Sequence, residues 1–186
     1  MRVLYGRHYS DRMRAVAAQV PDGASVLELC CGPATLYRRY LRRTAGAYIG
    51  LDVNERFVAR LTGAGIDARV QELGDAEQPL PGADVAIMQA SLYHFLPDAS
   101  GVVDRMLAAA RELVIVSEPV RNLAASELPV IGALGRQATD PGVGGHADRF
   151  TEATLDLLME RHRDRVRTAF LIPGGREKVY VLAAGG

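Results

Sequence analysis

Short apolar runs, each too brief for a helix and each followed by an amphipathic stretch, recur along this chain. That alternation constrains the fold more than any other feature. Val26 to Leu29 is the first, arriving after Pro21-Asp22-Gly23, and Ala47 to Leu51, Asp84 to Met88 and Leu113 to Val116 follow, with the more polar Asp67 to Gln71 read as a further strand between them. A strand that is apolar along its whole length is buried on both faces, as parallel strands are when helices cover the sheet. The intervening stretches supply those helices. One begins near Ala34, apolar at Leu36, Tyr37, Tyr40 and Leu41. Its Arg38, Arg39, Arg42 and Arg43 read as the solvated face rather than as an anion site. Asn54 caps a second helix, with Phe57, Val58 and Leu61 inward and Gly63 or Gly65 at its end. Asp98 is expected to cap a third through Val102, Val103, Met106 and Leu107. Thr151 caps a fourth that runs to about Glu160, with Phe150 placed to pack on Leu155. The rhythm changes at the end, where Val166 to Ile172, Pro173-Gly174-Gly175 and Lys178 to Ala183 read as two strands and a tight connection. The expectation is an α/β fold: a doubly wound, mostly parallel seven-stranded sheet with an antiparallel C-terminal strand. Residues 1–186 form one domain in this reading, with 1–23 as an N-terminal cap segment and 120–150 as a looser insertion.

Composition removes several alternatives. With 186 residues and 48% hydrophobic content the chain can bury a full core. Twenty-two basic and 22 acidic residues balance, so no field is built to hold nucleic acid or an anionic membrane. No apolar run approaches the roughly 20 residues of a membrane helix. The opening "MRVLYGRHYSDRM" lacks the apolar stretch of a secretion signal, which makes the cytoplasm the expected compartment. The two cysteines, Cys30 and Cys31, are neighbours, a poor basis for a disulfide, and the four histidines have no ligand spacing with them. No metal site is expected.

The turn "LELCCGPA" then carries the functional reading. In a doubly wound sheet ligands sit at the carboxyl ends of the strands, and the first strand-to-helix turn is the natural cradle. Asp52 ends the second strand 20 positions after Gly32, the spacing at which a carboxylate meets a ribose hydroxyl. It could equally cap the following helix. A nicotinamide dinucleotide fits poorly: Cys30, Gly32 and Thr35 occupy the three glycine slots of that fingerprint, and Pro33 removes an N–H where a pyrophosphate would need one. A ligand with ribose and no pyrophosphate fits better.

The ordered set "VLELCCGPATL", "YIGLDVN" and "ELGDAEQPLPGADVAIMQASLYHFLPD" resembles the class I S-adenosylmethionine-dependent methyltransferases, over about residues 24–119. The usual glycine-rich motif is worn, with Cys30, Gly32 and Ala34 in its three glycine positions. The resemblance implies the Rossmann-like methyltransferase fold, S-adenosylmethionine as cofactor, and methyl transfer to an O, N or C nucleophile of a small molecule. It also implies roles. Glu28 would orient the cofactor's amino group, the backbone from Cys30 through Gly32 to Ala34 would follow its methionine part, and Asp52 would take the ribose hydroxyls. Asp75 and Ala76 would read the adenine edge, with Val53 against its face, and Gln89 would complete the cofactor set. Asp75 read without the resemblance is an ordinary turn aspartate.

Two histidines compete as general base, which is needed only where the acceptor must lose a proton. His94 lies just past the fourth strand; His146 lies in the glycine-rich insertion, where a substrate lid is expected. Tyr5, Tyr9 and Arg12 of the cap segment, and Tyr93, are the candidate substrate contacts. His162, in "ERHRDR", reads as a solvated helix end. Apolar Leu123, Leu128, Val130, Ile131 and Leu134 would line an acceptor pocket or a dimer contact, leaving monomer and homodimer both open. Other readings stay open too: non-methylating chemistry on the same cofactor such as a cyclisation or rearrangement, a non-catalytic partner subunit, and an RNA or protein methyltransferase.

Overall fold

Strand β1 (Ser25–Leu29) lies inside a seven-stranded sheet whose order is β3-β2-β1-β4-β5-β7-β6 in a computed structural model that describes residues 8–120 and 149–185. The other strands are β2 (Ala47–Asp52), β3 (Ala68–Val70), β4 (Ala83–Gln89), β5 (Ala110–Pro119), β6 (Val166–Leu171) and β7 (Glu177–Ala183). Strands β1 to β5 pair in parallel, whereas β7 pairs antiparallel with both β5 and β6. The antiparallel strand is therefore inserted next to β5, because a hairpin connection reverses the chain while β6 takes the edge. Strand order reverses between β1 and β4, so the crevice at a doubly wound sheet's switch point opens beyond Leu29 and Gln89.

Side chains along the strands alternate between two cores. Leu27, Leu29, Met88, Val114, Val116 and Leu182 face one side; there they meet helix α3 (Ala99–Ala109) through Val102, Val103 and Met106 and helix α4 (Glu152–Met159) through Leu155 and Met159. Val26, Val85, Ile87, Ile115, Val179 and Val181 face the other, against Met13 and Val16 of helix α1 (His8–Ala17) and Val58 and Leu61 of helix α2 (Glu55–Thr62). Each fully buried Leu or Ile contributes about 1.5–3 kcal/mol relative to exposure, which fixes the pleat register.

Local chemistry explains most element ends. Asn54 Oδ1 accepts from the N–H groups of Arg56 and Phe57, so Asn54 is the cap of α2. Thr151 caps α4 in a reciprocal box with Thr154, and Phe150 and Leu155 lie in one apolar cluster. Asp98 occupies the cap position of α3 but makes no capping hydrogen bond, contrary to expectation. The helix expected after Ala34 is a tight element ending in a π-helical turn, Tyr37–Leu41, with Arg42 and Arg43 already outside it. His162 also departs from its expected place. It is buried, with Nδ1 3.6 Å from Asp104 of α3 and Nε2 without a hydrogen-bond partner among the described residues, because a short 3₁₀ helix (Glu160–Arg165) turns it toward α3.

Candidate active site

The first strand-to-helix turn is built from left-handed backbone. Cys30, Gly32 and Ala34 have φ of 52°, 54° and 50°, the three positions at which the resemblance expects glycine. That conformation is open to any glycine and costs an L-residue roughly 1–2 kcal/mol, which is the physical reason for small residues at these positions. The turn is held by its surroundings. Cys31 N–H donates to the Leu51 carbonyl at 3.0 Å, Ala34 N–H to the Cys31 carbonyl at 2.9 Å, and Gly32 N–H to Asp52 Oδ2 at 2.7 Å. A methyl group built on Gly32 would meet nothing within 4 Å among the described residues, so this side of the turn faces open space.

Asp52 is thus a fixed feature of the crevice and not the cap of α2. Its Oδ1 accepts from Asn54 N–H at 2.8 Å, and each oxygen keeps a further lone pair for an incoming hydroxyl. Val53 beside it is 48% exposed, an apolar face presented to solvent.

Glu28 lies behind the turn. Its Oε2 accepts from Tyr48 OH at 2.7 Å and its Oε1 from Gln89 Nε2 at 3.4 Å, and Tyr48 is itself stacked on Tyr37. Burial pushes the Glu28 carboxyl up to about 7, opposed by the bonds from Tyr48 and Gln89 and by the field of Arg12. The other amide atom, Gln89 Oε1, is buried with no partner among the described residues. A buried acceptor left without a donor costs about 1–3 kcal/mol. Glu28 and Gln89 together therefore present an acceptor pair suited to a cationic donor such as an ammonium.

The cysteines of the turn are not poised for chemistry. Burial, reinforced by the field of Asp52 and Glu118, pushes the Cys30 thiol up to about 12, and burial raises Cys31 as well. Both are free thiols, and no group of three or more metal-ligating side chains occurs among the described residues.

A second group of polar side chains follows β4. Ala90 is left-handed at φ 51°, and a 3₁₀ turn, Leu92–Phe95, follows. Glu118, fully buried at the end of β5, accepts the N–H groups of Ser91 and Leu92 on Oε1, each at 2.7 Å, while its Oε2 is buried and has no partner among the described residues. Its pKa is pushed up to about 8, chiefly by burial. This arrangement orients Tyr93, which is buried, and His94, which is half-buried; their rings are 4.0 Å apart. The Arg149 guanidinium lies over the Tyr93 ring, 3.5 Å from its centroid.

Arg12, expected to touch substrate, is buried and donates to Glu177 Oε1 at 3.3 Å, an oxygen that also accepts from Ser117 Oγ at 2.7 Å. Its guanidinium docks α1 onto the end of β7. Asp75 and Ala76 lie in an exposed turn after the buried Leu73, where Asp75 Oδ1 accepts from Glu77 N–H at 3.0 Å. That turn reaches the crevice through Gln71, whose N–H donates to the Asp52 carbonyl at 3.2 Å. Tyr5, the side chain of Tyr9, His146 and most of the 120–150 insertion lie outside the described residues. The residues that sequence reading missed are Tyr48, Ser117, Glu118 and Glu177. Glu118 had a signal, a carboxylate ending an unbroken apolar strand; Glu177, in "GREKV", had none.

No protein-family model matches the chain. It is 36% identical over 94 residues, 50% of this chain and 35% of the relative, to a trans-aconitate 2-methyltransferase of Mycolicibacterium gilvum. The match spans about a third of that relative's length. Among solved structures it is similar to magnesium protoporphyrin IX methyltransferase (ChlM) from Synechocystis PCC 6803 with bound SAH. That likeness has a TM-score of 0.70 and 18% identity, covering 98% of this chain and 91% of that one. It is also similar to a TehB-like SAM-dependent methyltransferase from Corynebacterium glutamicum, with TM-score 0.61 and 13% identity over 92% of this chain and 86% of that one. The fold is the Rossmann-like fold of these solved methyltransferases, so the fold that the sequence resemblance implies is borne out.

Proposed function

We propose that this chain binds S-adenosylmethionine and transfers its methyl group to a small-molecule acceptor. The observation that carries the reading is the 2.7 Å bond from Gly32 N–H to Asp52, which sets a turn of left-handed residues beside a carboxylate with spare acceptor capacity. The residues present fit the cofactor. Asp52 would hold the ribose hydroxyls, Glu28 and Gln89 Oε1 would accept from the amino group, and the Cys30–Ala34 backbone would admit the methionine chain. Asp75 and Ala76 would meet the adenine edge, with Val53 against the ring.

The cofactor supplies an electrophilic methyl carbon on a sulfonium whose leaving group is a neutral thioether. The protein's part is to align the acceptor and exclude water. Glu118 fixes the 3₁₀ turn that presents Tyr93 and His94 to the acceptor side. His94 would accept the acceptor's proton at a ring nitrogen where the acceptor is a hydroxyl; a carboxylate acceptor is already ionised and needs no base. The matched relative is named for trans-aconitate, a small carboxylic acid, so small carboxylates are the acceptors to try first. We place the protein in the cytoplasm as a monomer or homodimer without a nucleic-acid partner, and keep His146 as a candidate base and Tyr5 as a candidate substrate contact.

Titration calorimetry with S-adenosylmethionine and S-adenosylhomocysteine tests the reading. Binding well below ~1 mM is expected, and Asp52→Ala should weaken it at least about tenfold, the loss of one charge-assisted hydrogen bond. Methyl-labelled cofactor incubated with a panel of carboxylic acids should pass its label to the product. An unmethylated product with the cofactor recovered intact would favour cyclisation or rearrangement instead.

A further inference from the structure

The segment between β3 and β4 is anchored to the core by Leu73 and the half-buried Leu80, and side chains close it onto the sheet by its own carbonyls. Residues 74–79 are exposed, and Leu73 is the buried contact. Gln71 Nε2 donates across the base of the segment to the Pro79 carbonyl at 3.3 Å. From α3, Arg105 donates from Nη1 to the Leu73 carbonyl at 2.6 Å and from Nη2 to the Gln78 carbonyl at 2.8 Å. One planar guanidinium therefore grips both ends of the turn that carries Asp75 and Ala76, and its fixed fork sets their separation. Arg105 itself is registered by the buried neighbours Val102, Val103 and Met106. Within the turn, Glu72 Oε1 accepts from Gly74 N–H at 3.0 Å and Asp75 Oδ1 from Glu77 N–H at 3.0 Å. These short local bonds shape the peptide but do not tie it to the crevice.

We infer that Arg105 is a positioning residue for purine recognition: by holding Leu73 and Gln78 it sets Asp75 and Ala76 at the height of an adenine amino group, and so gives the site its preference for adenine over other bases. The inference rests on the proposed cofactor site. It adds that base selectivity is controlled from α3, a helix that forms no part of the cradle. Lysine, a point charge, reaches one carbonyl at a time and restores only part of the grip.

The test uses the full chain and two ligands: S-adenosylhomocysteine, and its hypoxanthine counterpart in which the 6-amino group is an oxo group. Arg105→Ala should weaken the adenine ligand about tenfold, the loss of a hydrogen-bond pair, while changing the hypoxanthine ligand little. The preference between the two collapses, and Arg105→Lys recovers part of it. A merely structural role would lower the melting temperature and leave the preference as in the wild type. Should Arg105→Ala fail to fold, Arg105→Lys and Gln71→Ala, which opens the base of the same segment, carry the measurement. Unchanged preference in folded variants of a wild type that binds overturns this inference alone; a wild type that binds neither ligand overturns it together with the cofactor reading.

Discussion

At the scale of single residues, the carboxyl of Glu28 has the clearest consequence. Its pKa is raised to about 7 because it is buried with neutral partners, so below neutrality it carries a proton in the free protein. An ammonium arriving beside it favours the carboxylate. Cofactor affinity should therefore rise as pH increases toward 7 and level off above it, and calorimetry at pH 7 in buffers of different ionisation heat should detect proton release on binding. Folding is linked with the opposite sense: a carboxyl whose folded pKa is raised stabilises the fold fully below the unfolded value of 4.5, and that contribution is lost as pH climbs through about 7. Glu28→Gln should flatten both profiles; an affinity that falls with pH between 6 and 8 (on the order of one pKa unit either side) contradicts the assignment. Glu28 was named through the family resemblance, and Gly32 and Asp52 through their spacing of 20 positions; the structure joins the last two by a hydrogen bond, and their role toward a cofactor is the proposal. Two cysteines beside a glycine were legible as packing, and the raised thiols agree. Arg12 was not legible, because its partner Glu177 lies 165 positions away and no local pattern links them.

Elements tell a different story. The strands and the caps Asn54 and Thr151 could be read from the sequence, since each depends on neighbours a few residues apart. Strand β5 ran well beyond the apolar core that announced it, to Ala110–Pro119, because pairing with β4 and β7 on both sides carries its polar ends into the sheet. Helix α1 was hidden for a related reason: its docking depends on the buried pair of Arg12 with Glu177 more than on a wide apolar face. Glu177 is a buried partner of Arg12, so Glu177→Ala should cost on the order of 3 kcal/mol in denaturant unfolding or release α1 alone. Hydrogen exchange separates the cases, with faster exchange confined to 8–17 if only that helix detaches. A change below ~0.5 kcal/mol with unaltered exchange would mean that the pair does not hold the helix.

For the whole molecule, the parts form a consistent pattern. The sheet order places β1, β2, β4 and β5 so that their carboxyl ends share one rim, and the polar groups there, Glu28, Asp52, Gln89 and Glu118, are fixed by backbone or side-chain bonds before any ligand arrives. What the sequence could not convey is the pairing of these groups across strands, which only the assembled sheet creates. We propose this rim as a nucleoside site centred on the Asp52 carboxylate. A crystal structure of the chain with S-adenosylhomocysteine tests it most directly. Both ribose hydroxyls are expected to donate to Asp52 at about 2.5–3.0 Å, with the Gly32 bond intact and the amino group between Glu28 and Gln89. A ribose bound away from Asp52, or a turn from Cys30 to Ala34 closed by protein atoms, would contradict it.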